Sequence, residues 1–220
     1  MKLFLSVEDN FKHQGLRKKL VEELAAKGIK DKNVLKALSN VPRHYFLDKA
    51  FLNQAYSNVA FQIGAGQTIS QPYTVAFQSQ LLNLAPGEKV LEIGTGSGFQ
   101  TAILCAMKAK VFSIERQREL HLNAKTILSK LPFNPKLKYG DGFKGWDSFA
   151  PFDKVIITCG APYVPEELMN QLKVGGVIVI PVGLGDNQKM LRLTKTSGDS
   201  YDEEVFGDFS FVPMLKDTNK

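Results

Sequence analysis

From Lys89 onward the chain alternates between short aliphatic runs and longer amphipathic stretches, and this rhythm restricts the fold more than any other feature. "KVLEIG", "KVFSIE", "KLKYGD", "DKVIITCG" and "GVIVIPVG" read as strands, and "GFQTAILCAMKA", "RQRELHLNAKTILSKL" and "PEELMNQL" as helices. Alternating strands and helices imply a mainly parallel sheet covered on both faces. The near-continuous Val/Ile runs are those of strands buried on both sides. After Pro181 the pattern changes: "KMLRLTKT" and "YDEEVFGDFSFVPM" follow without a helix between them and predict an antiparallel pair. The expectation is a doubly wound, mainly parallel α/β sheet of seven strands with antiparallel strands at its C-terminal end.

Residues 1–85 read differently, as a helical extension that ends in an irregular loop. Leu16, Leu20, Val21 and Leu24 recur at helical spacing before Gly28, and Asp31 can cap a second helix. "VPRHYFLDKAFLNQAY" reads as short helical turns after Pro42. "IGAGQTISQPY" is too polar and glycine-rich for a strand, and Pro72 opens the helix "YTVAFQSQLLNL". The division is thus 1–85, extension and loop, and 86–220, sheet core, within one compact unit. With 220 residues, 44% hydrophobic, the chain supports one large core. Only the polar end "LKDTNK" is expected to fray.

Composition narrows the partners. The formal net charge is +6, but the basic residues are dispersed. The densest group, Arg17, Lys18 and Lys19, lies on an amphipathic helix without interleaved aromatics, so it reads as a solvated face and nucleic acid is not expected. A mildly basic enzyme that attracts carboxylates fits the charge equally. The N-terminal run reaches acidic residues quickly and is not read as a signal peptide. No apolar run is long enough to span a membrane. Cys105 and Cys159 are distant, and His13, His44 and His121 are scattered. Neither a disulfide framework nor a metal site is expected, and a reducing cytoplasm and a monomeric chain are.

The chemistry concentrates at "VLEIGTGSG". Gly94, Gly96 and Gly98 permit a tight turn at the first strand-to-helix junction, where open α/β sheets bind ligands. Glu115 ends the next strand about twenty residues on, where a carboxylate can meet ribose hydroxyls. Asp141, followed by Gly142, ends the third strand and can meet an adenine edge. Each feature alone could be an ordinary turn. Together they point to a nucleoside-type cofactor. The spacing Gly94-x-Gly96-x-Gly98, with Glu92 ahead of it, is not the dinucleotide fingerprint. It resembles the S-adenosylmethionine motif of class I methyltransferases, which implies a Rossmann-like methyltransferase sheet.

Enzymes of that superfamily acting on base amino groups carry Asn/Asp-Pro-Pro-aromatic after the fourth strand. Here "TCGAPYVP" keeps only Pro162 and Tyr163 in loose register. Cys105 and Cys159 read as packed residues rather than nucleophiles. Taken in order, "VPRHYF", "GAGQTISQPY", "VLEIGTGSG", "GDG", "PFDKVIIT" and "FVPM" resemble the protein-L-isoaspartate O-methyltransferase family, from about Val34 to Met214. "GQTISQP" is the specific part. Cys159-Gly160 departs from the Ala-rich run the family commonly has there.

The resemblance implies methyl transfer from S-adenosylmethionine to the free carboxylate of isoaspartyl residues in damaged proteins and peptides. It implies that Ser70 is catalytic and touches substrate. Thr68, Ile69, Glu92, Gly94, Thr95, Gly96, Ser97, Gly98, Glu115, Asp141 and Gly142 would hold the cofactor, and Val212 and Pro213 the substrate backbone. Read without the motif, Ser70 is as well explained as a helix cap. The alternatives are a class I methyltransferase acting on RNA or a small molecule, and a cofactor-binding module without activity.

Overall fold

The computed structural model describes residues 8–198 and 200–219. Residues 1–7, on which the reading of the N-terminus partly rests, lie outside that description. The chain runs α1 (Phe11–Ala26), α2 (Lys32–Asn40), β1 (Phe61–Gly64), β2 (Gln67–Ile69), α3 (Pro72–Leu81), β3 (Lys89–Ile93), α4 (Phe99–Ala106), β4 (Lys110–Glu115), α5 (Arg118–Leu128), β5 (Lys136–Tyr139), β6 (Phe152–Ile157), α6 (Glu166–Asn170), β7 (Leu172–Val182), β8 (Gln188–Ser197) and β9 (Ser200–Phe209). Short 3-10 turns cover Arg43–Phe46 and Lys49–Gln54. No helix among the described residues is long and apolar enough to cross a membrane.

Local chemistry sets the helix boundaries. The Asn10 side chain accepts from His13 N, and Asp31 accepts from Asn33 N and Val34 N. Gly28 follows α1 at φ +99°, a conformation that carries little steric cost for glycine. Pro72 takes the first turn of α3, where its missing N–H costs no hydrogen bond.

The segment expected to be irregular is a β-hairpin, which corrects that reading. β1 and β2 pair antiparallel, with Phe61 opposite Ile69. Gly64, Ala65 and Gly66 turn the chain at φ +95°, +51° and +68°. The glycines that argued against a strand make the reversal that a tight hairpin needs. Such short strands need no apolar run, because one buried pair, Phe61 and Ile69, anchors them.

The main sheet has the order β5-β4-β3-β6-β7-β8-β9. The strands from β5 across to β7 are parallel, and β8 and β9 are antiparallel to their neighbours. Side chains alternate between two cores. Val90, Ile156, Val177 and Val179 face the N-terminal helices, α4 and α5. Leu91, Ile93, Val155, Ile157, Ile178 and Ile180 face α6 and the turns after β5. The N-terminal helices share their core with α4, so this part of the chain packs directly on the sheet domain. The chain leaves the central strand β3 in one direction and returns at β6 on its other side. Their carboxyl ends therefore form a topological switch point, where such sheets leave a crevice.

The C-terminal end is tied down rather than frayed. Asn219 N donates to Arg116 O, and Arg118 N and Tyr139 Oη donate to Asn219 O. "FVPM" is not part of β9, which ends at Phe209; Pro213 instead forms an isolated bridge to Gly160.

Candidate active site

The crevice at the switch point is lined by the ends of three parallel strands, by β2 and by the segment after β9. Gly94, Thr95, Gly96 and Ser97 follow β3; Glu115 and Arg116 end β4; Thr158 and Cys159 follow β6. Gln67, Thr68, Ile69 and Ser70 also line the cleft, as do Gly142 and the segment Val212, Pro213, Met214 and Leu215.

The glycine turn is built for close approach. Gly94, Gly96 and Gly98 all have positive φ, at +98°, +53° and +88°. A Cβ on Gly94 would stand 2.6 Å from Thr158 Oγ1. Thr158 Oγ1 itself donates to Ile93 O and Gly94 O, at 3.0 and 2.7 Å, and so joins the ends of β3 and β6. Glu115 accepts from Gly96 N and Gln117 N, both at 2.8 Å. Burial raises its pKa above the ordinary glutamate value, against the pull of the hydrogen bonds from Gln117 and Gly96. Each carboxylate oxygen accepts only one of these bonds and has capacity for a second.

Among the predicted cofactor residues, Thr68, Ile69, Gly94, Thr95, Gly96, Ser97, Glu115 and Gly142 line the cleft, whereas Glu92, Gly98 and Asp141 do not. Period-two alternation turns Glu92 toward α4, where it is fully buried and accepts from Thr101 Oγ1. Burial pushes its carboxyl up to about 7, and its Oε1 has no partner among the described residues. Gly98 starts α4 and packs against Leu128. Asp141 accepts from Phe143 N and Asp217 N, which turns it to the C-terminal segment. Gln67, Arg116, Thr158, Met214 and Leu215 also line the cleft and were not singled out by sequence. Thr158 had a legible signal, since it ends a parallel strand beside the glycine turn.

The donor set suits a nucleoside-type ligand. Arg116 is the only basic residue lining the cleft among the described residues, and it is engaged by Asp217 O and Lys216 O. One carboxylate, several hydroxyls and a glycine turn match ribose hydroxyls and an amino-acid end.

Ser70 and the Val212–Pro213 segment share a wall with an adjoining groove that also includes Tyr73, Phe77 and Phe209. Ser70 is not the cap of α3: that position is Gln71, and no side chain caps this helix. The segment after β9 is fixed by backbone bonds. Gly160 N donates to Val212 O at 2.8 Å, Met214 N to Gly160 O at 2.7 Å, and Phe211 N to Gln188 Oε1 at 2.8 Å. A Cβ on Gly160 would lie 2.9 Å from Gln188 Cδ. The unusual Gly160 is thus where the acceptor segment docks against β8. Cys159 lines the cleft as well as packing on the core, and burial pushes its thiol up to about 12. A protonated thiol is a poor nucleophile.

The structure also gathers residues that looked scattered. Asp9, His13 and His44 offer ligand atoms within 4.8 Å of one another. The two imidazoles are stacked with centroids 4.0 Å apart, so their in-plane lone pairs run alongside each other rather than converge. Both oxygens of Asp9 accept from Arg17. Burial, with His13 beside it, pushes His44 down to about 4. This group joins α1 to the turn at Arg43–Phe46 and is remote from the cleft lining.

A family model described as Protein-L-isoaspartate(D-aspartate) O-methyltransferase (PCMT) matches residues 15–219. A protein-L-isoaspartate O-methyltransferase of Christiangramia forsetii is 56% identical over 97% of this chain and 100% of its own length. Its namesake in Flavobacterium psychrophilum is 53% identical over the same shares. Among solved structures, a Plasmodium falciparum protein described as a putative protein-L-isoaspartate O-methyltransferase, in complex with S-adenosyl-L-homocysteine, superposes with TM-score 0.78 at 25% identity, over 91% of this chain and 99% of that one. A second, longer protein-L-isoaspartate O-methyltransferase gives TM-score 0.82 at 30% identity, over 90% of this chain and 65% of the other.

Proposed function

The chain belongs to the protein-L-isoaspartate(D-aspartate) O-methyltransferase family, and from that premise we propose how its residues carry the reaction. The enzyme transfers a methyl group from S-adenosylmethionine to the free carboxylate of L-isoaspartyl residues, the step that initiates repair. When bound, S-adenosylmethionine supplies an electrophilic methyl on a sulfonium sulfur. Glu115 would hold the ribose, the turn Gly94–Ser97 would receive the amino-acid end, and Thr68 and Ile69 would lie against the cofactor from the hairpin.

The acceptor carboxylate is ionised at neutral pH, so the reaction needs no general base. With the methyl donor bound, the free oxygen of the acceptor carboxylate would be the nucleophile. The protein's task is alignment and exclusion of water. Ser70 donates its hydroxyl to one acceptor oxygen and so aims the other. Val212 and Pro213 hold the substrate backbone as an extended strand. The product ester closes to a succinimide, whose hydrolysis returns some normal aspartate.

The observation that carries this reading is that Ser70 and Val212–Pro213 line both the adjoining groove and the cleft that also holds the glycine turn and Glu115. Among the described residues the cleft is lined by no histidine or lysine and its cysteine is protonated, which suits an acceptor that is already an anion. The test is label transfer from S-adenosylmethionine to an isoaspartyl peptide, with its normal aspartyl twin as control. Label on the first alone supports the reading, and label on neither removes it. We also infer a cytoplasmic monomer that does not bind nucleic acid. Two free thiols and dispersed positive charge support this.

A further inference from the structure

Arg43 lies in the turn after Pro42 and is 1% exposed. Its Nη1 donates to Ala55 O at 2.7 Å, and its Nη2 to Val59 O at 3.0 Å and Ser70 O at 3.2 Å. The guanidinium carbon lies 5.4 Å from the Phe61 ring centroid and 5.8 Å from that of Phe99. No carboxylate among the described residues forms a salt bridge with it. Nε is buried without a partner.

A buried charge normally has a counter-charge, because desolvation is otherwise costly. Here three neutral carbonyls and two aromatic faces stand in its place. Burial pushes the guanidinium down to about 9, which leaves it protonated at neutral pH. The three carbonyls are a structural reason for a donor fork here, but the charge without a counter-charge still lacks a reason of its own. Two facts give one. The three carbonyls span the segment that carries the hairpin, from Ala55 to Ser70, and the last belongs to the residue that aims the acceptor. The acceptor, on the reading of the cleft given above, arrives as an anion.

We propose that Arg43 is a positioning residue for methyl transfer: it fixes the backbone of Ser70, and its uncompensated positive charge favours the acceptor carboxylate. The free enzyme keeps a cation for which the substrate supplies the counter-charge. The two roles separate by substitution. Arg43→Lys keeps the charge and gives up the fork that grips three carbonyls. Arg43→Met removes both.

The experiment uses an isoaspartyl peptide and a neutral isostere in which the free carboxylate is a carboxamide. The parental enzyme should bind the acid roughly tenfold more tightly than the amide or better, about 1.4 kcal/mol. Arg43→Met should lose most of that preference and at least tenfold in kcat, with cofactor affinity within about twofold, while the three carbonyls left without a donor lower its melting temperature. Arg43→Lys should keep the preference and lose kcat. A folded Arg43→Met with parental preference and kcat overturns the proposal. So does a loss shared equally by cofactor affinity, which marks a purely structural role. If Arg43→Met does not fold, Arg43→Lys decides: parental kcat, or loss of the acid preference, overturns the proposal. If the parental enzyme labels no isoaspartyl peptide, the reading of the cleft fails instead.

Discussion

Glu115 and Ser70 face one cleft, yet their positions are secured in unlike ways. Glu115 ends β4, whose register against β3 pairs Ile93 with Ile114 and brings the carboxylate beside the glycine turn. Apart from Thr68 and Ile69 of the hairpin, the cofactor side is of this kind: Gly94, Glu115 and Thr158 lie at strand ends, and sheet topology makes them neighbours. Ser70 and Val212–Pro213 come from opposite ends of the chain and share no strand pairing with each other. They are held by single polar contacts, Arg43 on the Ser70 carbonyl and Gly160 and Gln188 on the segment after β9. A wall made by topology can serve many acceptors, whereas a wall made by such contacts is particular to one. Damage to the first should appear as lost cofactor affinity, and damage to the second as lost turnover.

The largest effect is expected at Gly94. Its φ of +98° and the 2.6 Å approach of Thr158 Oγ1 leave no room for a methyl. Gly94→Ala should weaken cofactor binding by roughly a hundredfold, about 3 kcal/mol, from backbone strain and displacement of the turn together. Calorimetry showing a Kd within threefold of the parent would break the claim that this wall depends on backbone approach.

Next is Glu92, one strand from Glu115 and outside the cleft. Its folded pKa of about 7 lies above the usual glutamate value of 4.5. A raised carboxyl favours the fold while protonated. That contribution is complete below about pH 4, and it disappears as pH climbs to about 7, a change on the order of 3 kcal/mol. Glu92→Gln should remove this slope, so that its urea midpoint gains on the parent's between pH 5 and pH 8. Equal pH profiles would show that the buried carboxyl is not the cause.

Glu115→Ala should weaken cofactor binding by roughly 1–3 kcal/mol, the scale of a lost hydrogen bond to a charged group. Unchanged affinity by calorimetry would remove the ribose assignment and with it half of the contrast.

The contrast also explains what the sequence disclosed. Strand ends are legible because an aliphatic run that stops at glycine marks both a strand and its carboxyl end; "KVLEIG" and "KVFSIE" place Gly94 and Glu115 without any tertiary information. Glu92 was misplaced because nearness to the glycine turn in sequence does not say which face of the strand a side chain takes. The hairpin of β1 and β2 was hidden by its own turn glycines. Asp9, His13 and His44 meet only because α1 packs across the turn at Arg43, a contact with no local signature. Gly160 looked like a departure from the family pattern, and its reason is a partner segment far along the chain. The role proposed for Ser70 rests on the motif "GQTISQP", since a lone serine before a helix argues as well for a cap.

Ser70→Ala tests the division of labour most directly, with kcat on an isoaspartyl peptide and cofactor Kd measured on the same preparation. A bond made chiefly in the transition state is expressed in the rate and not in the affinity for the other ligand. The account predicts a fall in kcat of roughly ten- to a hundredfold, the range of a charge-assisted hydrogen bond, with cofactor Kd within about twofold and the melting temperature preserved. A folded variant that methylates the peptide at the parental rate would contradict it.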